Sequence, residues 1–137
     1  MKILVDTNVV LDLLLDRQPF SDPAARIFSL IEHSEAEAFL CATTVTTIDY
    51  LLTQSVSRAE AKTALLRLLE LFEIAPVNRP VLEEALQSRM EDFEDAVLAH
   101  SANLVGATAV ITRNTKDFRH SPVKALDPLE FLSVFGK

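Results

Sequence analysis

The sequence predicts an α/β protein: a single three-layer domain with a parallel sheet of four or five strands between helices. Short, continuous apolar runs are typical of strands buried on both faces, and here they alternate with longer segments of helical periodicity. The length of 137 residues is that of one domain, so the predicted domain spans residues 1–137. A composition of 49% hydrophobic and 24% charged residues is typical of a globular core rather than of a disordered chain.

The elements follow from apolar spacing and from their start signals. The predicted strands are residues 3–5, 38–42, 72–77, 109–112 and, as a short fifth, 124–126. The predicted helices are residues 8–15, 21–31, 44–54, 57–71, 80–87 and 92–104, with a last one from Asp127. Ser21-Asp22-Pro23 is a typical helix start with proline in the first turn, and Ser57-Arg58-Ala59-Glu60 fits a capping box.

Charge and cysteine content narrow the function classes. The net charge of −7 argues against a sequence-independent coat for DNA or membranes, but it suits an enzyme that gathers carboxylates around cations. The single cysteine, Cys41, permits no disulfide within the chain, as expected in a reducing compartment. Asp6 and Asn8 interrupt the first apolar run, so it is not a signal peptide, and no stretch reaches the about 20 apolar residues of a membrane span. We expect a cytoplasmic protein with no membrane partner.

Several carboxylates lie at comparable places in this alternating pattern. Asp6 and Asp117 follow predicted strands, whereas Asp49 and Asp95 lie in helices that follow strands. Ligands of open parallel sheets bind beyond the carboxyl ends of the strands, so these acids are expected at one edge. Converging carboxylate oxygens are ligands for a hard cation. The pattern therefore predicts a Mg²⁺ or Mn²⁺ site.

Each acid also has a purely structural interpretation. Asp6 or Thr7 can cap the first helix. Asp92, Glu94 and Asp95 lie at the start of a helix, where the helix dipole favours negative charge. Asp92 and Asp95 are three residues apart and share a helix face, so Asp92 is a further metal candidate. The joint placement of the acids at strand ends favours the metal interpretation.

The densest basic segment surrounds Asp117 and comprises Arg113, Lys116, Arg119 and His120. It predicts contacts to a phosphate backbone beside the metal, and its alternative is a solvated loop with local ion pairs. The sequence contains no glycine-rich phosphate loop, no zinc spacing of Cys and His, and no Gly-x-Ser-x-Gly elbow.

The motifs resemble those of the PIN domain over essentially the whole chain. They are Val5-Asp6-Thr7-Asn8-Val9-Val10-Leu11-Asp12, Asp95-Ala96-Val97-Leu98-Ala99, Ile111-Thr112-Arg113-Asn114 with Asp117-Phe118, and Leu126-Asp127-Pro128-Leu129-Glu130-Phe131-Leu132. The resemblance implies a PIN-like sheet and a metal-dependent ribonuclease, often a homodimeric toxin of a bacterial toxin–antitoxin pair. It also implies a metal site of Asp6, Asp95 and Asp117, with polar support from Thr7, Asn8, Thr112 and Asn114. With Asp6 on the cation, we expect Thr7 or Asn8 to cap the first helix.

One segment departs from the family pattern. Many members carry a Glu after the second strand, in a pattern like Ser-x-x-Thr-x-x-Glu, whereas this chain has Thr43-Thr44-Val45-Thr46-Thr47-Ile48-Asp49-Tyr50. Asp49 aligns with that Glu but is one methylene shorter. With a shifted alignment, Thr46 or Thr47 becomes the polar group that faces the site.

Three functions fit these motifs. The first is an endoribonuclease in which Mg²⁺ or Mn²⁺ is held by Asp6 and Asp95, with RNA bound by Arg113, Lys116 and Arg119 and with an antitoxin and a second copy as partners. The second is a catalytically weak or inactive PIN-fold module that binds RNA or protein, which the uncertain role of Asp49 motivates. The third, a phosphotransfer domain, fits worst, because a haloacid-dehalogenase-like site has Asp where this chain has Asn8.

Overall fold

Five strands form one parallel sheet. In the computed structural model, which describes residues 1–135, the strands are β1 (Lys2–Val5), β2 (Glu37–Cys41), β3 (Glu73–Ala75), β4 (Ala109–Ile111) and β5 (Ala125–Leu126). They pair in parallel in the order β3-β2-β1-β4-β5. The predicted fold class and the short fifth strand are confirmed.

Helices connect successive strands and close the chain. They are α1 (Thr7–Leu14), α2 (Ser21–Glu32), α3 (Ala42–Leu52), α4 (Arg58–Leu71), α5 (Arg79–Gln87), α6 (Phe93–Leu104) and α7 (Pro128–Phe135). A short 3-10 helix at Thr115–Phe118 was not predicted. The predicted capping box is present, because Ser57 Oγ accepts a hydrogen bond from Glu60 N at 3.1 Å and Glu60 Oε1 accepts one from Ser57 N at 3.3 Å. In the described chain, the helices are too short or too polar to cross a membrane.

The central strand β1 separates two hydrophobic cores. Ile3 and Val5 pack into the core that α1, α2 and α7 cover. Leu4 points to the opposite face, into the core that α5 and α6 cover. All three side chains are fully buried, as the continuous apolar run predicts for a strand with helices on both sides. The domain therefore has three layers.

The strand order reverses next to β1. From β1 the chain moves outward to β2 and β3, and it returns to add β4 and β5 on the other side. The loops that leave β1 and β4 thus diverge at the carboxyl edge, where ligands of open α/β sheets bind. Asp6 N donates a hydrogen bond to Ile111 O at 2.9 Å, and Thr112 N donates one to Leu126 O at 3.0 Å. These bonds fix Asp6 and Thr112 side by side at this edge.

Helix α3 begins earlier than predicted. It starts at Ala42, directly after β2, whereas the predicted helix starts at Thr44. Thr44 consequently lies in the first helical turn and is buried. The early start brings this residue, rather than a later one, toward the loop after β1.

Candidate metal centre

Asp6 is buried at the end of β1, with 7% of its surface exposed. Its backbone is extended and it occupies the N-cap of α1, where Oδ1 accepts a hydrogen bond from Thr7 N at 2.7 Å. The expectation that Thr7 or Asn8 would cap this helix is therefore wrong. Asp6 can combine capping with another role because capping uses only one of its two oxygens.

The second oxygen of Asp6 is held from the neighbouring strand. Thr112, which is fully buried, donates from Oγ1 to Asp6 Oδ2 at 2.7 Å. Asn8 Nδ2 lies 3.4 Å from the same oxygen. Thr112 Oγ1 in turn accepts a hydrogen bond from Asn114 N at 3.1 Å. The predicted polar supports from both motifs thus converge on one carboxylate.

Further acids act on this carboxylate from α6. Asp92 caps the helix, its Oδ1 accepting a hydrogen bond from Asp95 N at 2.9 Å. Burial and, after it, the negative charges of Asp92, Asp6, Asp117 and Glu94 together raise the pKa of Asp95 to about 7. The acids from three separate motifs therefore share one electrostatic environment.

The pKa of Asp6 is also raised, for opposed reasons. Burial raises it most, hydrogen bonds from Thr112 and Thr7 lower it, and the charges of Asp92 and Glu94 raise it further. The charged form of this side chain is thus disfavoured by desolvation and by its acidic neighbours. A cation would relieve both effects.

The donor set fits a hard divalent cation. Among residues 1–135, no three His, Cys, Asp or Glu side chains are grouped so that they alone could hold a metal ion. Mg²⁺ does not require such a cage, because it keeps several waters and takes one or two carboxylates. Asp6 and Asp95 supply two carboxylates. A bound cation would offset the electrostatic repulsion between the acids.

A cleft of about 460 Å³ is lined by the residues that precede α6 and by the 3-10 helix with the two residues that follow it. Asp92 and Asp117 line it together with the predicted basic residues Lys116 and Arg119. Arg89 also lines it and was not predicted, because it lies outside the basic segment in sequence. Cationic and anionic groups therefore share the walls of one cleft.

The structure does not bring Asp49 to this site. Its Oδ1 accepts a hydrogen bond from Arg58 Nη1 at 2.6 Å, and its side chain is 30% exposed. It is absent from the charges that raise the pKa of Asp6 and Asp95. The aligned position is thus occupied by an acid that forms a surface ion pair instead of a metal ligand.

The shifted alignment does not describe the segment either. The hydroxyls of Thr46 and Thr47 both donate to Thr43 O within their own helix, at 2.9 and 3.1 Å. Thr44 is the residue that reaches the loop after β1, with its Oγ1 3.4 Å from that of Thr7. Thr44 therefore contributes a neutral hydroxyl near the start of α1, while the acid at the aligned position stays in its ion pair with Arg58.

Arg113 has a different role from the predicted phosphate contact. Its Nε and Nη2 donate to the two carboxylate oxygens of Asp12 at 2.6 and 3.1 Å, and its guanidinium lies 4.0 Å from the centre of the Phe20 ring. Asp12 is 1% exposed, so the carboxylate of this pair is buried, whereas the Arg113 side chain is 27% exposed. The predicted contact is corrected, because these partners occupy the guanidinium. Its backbone N lies 3.4 Å from Asn8 Oδ1 and ties the turn after β4 to α1.

The raised pKa of Asp95 predicts a pH dependence of stability without metal. Between its ordinary pKa of 3.8 and about 7, the folded state binds more protons at this site than the unfolded state. The free energy of unfolding should therefore fall as the pH rises through that window. Asp95→Asn should remove this fall, so that its stability relative to the unaltered protein increases from pH 4 to 7 and is constant above. Urea unfolding across that range measures it, and parallel pH profiles for the two proteins would contradict it.

Two arginine substitutions test the buried pair against the surface pair. Arg113→Met should cost about 3 kcal/mol or more, because it leaves the buried Asp12 carboxylate without its main partner. Arg58→Met is the matched control, since its closest ion-pair distance is also 2.6 Å but Asp49 is partly exposed, and it should cost under about 1 kcal/mol. Denaturant unfolding measures both, and equal losses would contradict the distinction.

Comparisons with known proteins identify the family and the fold of this chain. A family model described as a PIN domain matches residues 2–116. FitAcB from Neisseria gonorrhoeae has a TM-score of 0.69 at 25% identity, over 93% of this chain and 98% of that one. A toxin–antitoxin complex from Klebsiella pneumoniae has a TM-score of 0.69 at 24% identity, over 92% and 97%. VapC20 from Mycobacterium tuberculosis, described as a sarcin–ricin loop cleaving toxin, has a TM-score of 0.63 at 18% identity, over 79% and 86%.

None of the curated proteins compared with the chain matches it. The two structures below 25% identity establish the shared fold alone. The family model covers more than half of the sequence, including the segments that carry Asp6, Asp95 and Thr112. The chain therefore belongs to the PIN domain family.

Proposed function

We propose that this protein is a metal-dependent endoribonuclease that hydrolyses RNA phosphodiester bonds, and that it is the toxin of a toxin–antitoxin pair. The observation that carries the proposal is the buried Asp6 carboxylate. It is fixed by Thr112 at the point where the strand order reverses, within the field of the acids Asp92 and Glu94. This arrangement has the chemistry of a cation site and adjoins a cleft with basic walls.

The residues of such a site would have separate roles in holding the cation and in orienting its ligands. Asp6 and Asp95 would hold Mg²⁺ or Mn²⁺, and Asp117 and Asp92 would add negative charge nearby. When bound, the cation supplies a water of lowered pKa and neutralises charge on the phosphodiester. Thr112 orients the Asp6 carboxylate, with Asn8 close to the same oxygen and Asn114 N bound to the Thr112 hydroxyl.

We assign the RNA contact to basic side chains of the cleft rather than to Arg113. Lys116 and Arg119 are exposed and line the same cleft as Asp117. Cationic side chains at such a position bind phosphate oxygens and set the register of the strand without reading its sequence. In a chain of net charge −7, this local basic wall is what permits an RNA backbone to approach the acids.

The partners of similar proteins support the toxin assignment. The Klebsiella pneumoniae structure is described as a toxin–antitoxin complex, and VapC20 is described as a toxin. We therefore propose an antitoxin protein as a partner of this chain, and a homodimer as its assembly, as the family resemblance implies. Light scattering of the purified chain, alone and with the product of an adjacent small reading frame, measures both.

The structure also favours a second candidate, a catalytically weak or inactive module that binds RNA or protein. The specific observation is Asp49, whose carboxylate is paired with Arg58 instead of joining the acidic cluster. Calorimetric titration with Mn²⁺ separates the candidates. Binding at millimolar metal that Asp95→Asn abolishes supports the nuclease, and absence of binding supports the module.

The nuclease proposal predicts that Asp6→Asn and Asp95→Asn abolish cleavage of an RNA pool in Mn²⁺. Because the pKa values of both carboxyls are raised, removing their charge should not destabilise the fold by more than about 1 kcal/mol, the scale of one hydrogen bond. Gel analysis of the RNA and denaturant unfolding measure the two effects.

The matched control is Glu83→Gln, which removes a surface carboxylate paired with Arg79 and should leave cleavage intact. If the unaltered protein cleaves no RNA, or if both aspartate variants still cleave it, the proposal fails. A large loss of stability in Asp6→Asn would instead show that the charge of this residue mainly stabilises the fold, because asparagine caps a helix as well as aspartate does.

Asp49→Asn should retain RNA cleavage. Its carboxylate pairs with Arg58 on the surface, so its loss should change kcat/KM by no more than about threefold. Steady-state kinetics on a defined RNA measures this, with Asp95→Asn as the inactive reference. If Asp49→Asn lowered kcat/KM as much as Asp95→Asn does, Asp49 would have to be counted among the metal-site residues.

A further inference from the structure

A second cleft, of about 400 Å³, adjoins the one beside the acids. It is lined on the α5 side by Glu84, Gln87 and Ser88, and on the α6 side by His100. Arg89 and His120 line both clefts. These two side chains therefore stand between the acidic centre and the second cleft.

One buried polar atom in this cleft lacks a partner. Within the part of the chain that the structure describes, Nδ1 of His100 is buried and makes no hydrogen bond. The nearest acidic oxygen is Glu84 Oε1 at 3.8 Å, which is beyond hydrogen-bond distance. A buried polar group without a partner costs free energy, so stability alone does not account for a histidine in this wall.

Two basic side chains lie at the boundary between the clefts. Among residues 1–135, neither Arg89 nor His120 takes part in an ion pair, whereas Arg58, Arg79 and Arg113 all do. Both boundary side chains are exposed. A guanidinium that is free of carboxylates and lies between two clefts is placed to bind a phosphate that bridges them.

We propose that the second cleft binds the nucleotide next to the cleaved bond in single-stranded RNA. This assignment rests on the proposed ribonuclease function. Arg89 and His120 contact the phosphate at the boundary, and Gln87 and Ser88 offer hydrogen-bonding groups to the ribose or the base beside the His100 ring. Sequence-selective proteins read single-stranded RNA in this way, through base and ribose edges and through stacking on side chains that include histidine.

The first test measures binding of a short fluorescent single-stranded RNA to the Asp6→Asn protein, which should not cleave it. Adding Arg89→Gln should weaken binding about tenfold and lower the slope of log affinity against log salt by about 0.7, the loss of one phosphate contact. Arg79→Gln is the matched control, since it removes the same charge from an exposed arginine outside both clefts, and it should change neither quantity.

In the otherwise unaltered enzyme, Arg89→Gln should raise KM for a short RNA more than it lowers kcat. His100→Phe supplies an independent measurement, because it removes the unpartnered nitrogen but keeps a ring. It should weaken RNA binding while leaving the free energy of unfolding unchanged or higher. A purely structural histidine would give the opposite result, with lower stability and unchanged binding.

The outcomes separate this assignment from the function on which it rests. If the unaltered protein cleaves RNA but Arg89→Gln binds RNA as tightly as Arg79→Gln does, the second cleft is not a nucleotide subsite and the ribonuclease proposal stands. If the unaltered protein neither binds nor cleaves RNA, both proposals are overturned. If His100→Phe does not fold, the comparison of the two arginine variants still decides the question.

Discussion

The candidate site depends on one hydrogen bond, from the Thr112 hydroxyl to the Asp6 carboxylate at 2.7 Å. It joins the residues that follow β1 and β4, 106 positions apart in sequence, at the point where the strand order reverses. Burial disfavours the charge on Asp6, and the bonds from Thr112 and Thr7 oppose that effect. The fold thereby holds a buried carboxylate in a fixed orientation, which a ligand for a small cation needs.

The ion pair of Asp12 and Arg113 helps to hold the residues that form this hydrogen bond. Such a pair adds little net stability, because desolvation of both charges offsets their attraction. Its effect here is positional. The Arg113 backbone N lies next to Asn8, and the turn that carries Arg113 also carries Thr112. A side chain that the basic segment suggested as a phosphate ligand thus serves to hold the turn in place.

The sequence allowed the fold and most of the acidic cluster to be predicted, because strand ends are visible in apolar periodicity and parallel strands end at one edge. The sequence did not show with which residue each charged side chain would form an ion pair. Asp49 pairs with Arg58, nine positions later, and Arg113 pairs with a residue 101 positions earlier. The burial of Thr44 depends on where α3 begins, and the position of Arg89 depends on how α5 and α6 are placed. Each of these requires three-dimensional packing.

The raised pKa of Asp95 and the proposed cation site are two aspects of the same electrostatics. The fold holds acids from three motifs close together, and the negative charges of Asp92, Asp6, Asp117 and Glu94 help to raise the pKa of Asp95. A proton on Asp95 relieves the repulsion below about pH 7, and a divalent cation would relieve it without that proton. A proton and the proposed cation would therefore compete for the same carboxylates, so we expect metal affinity to depend on pH. This competition follows from the convergence of Asp6, Asp92, Asp95 and Asp117, whatever the identity of the RNA.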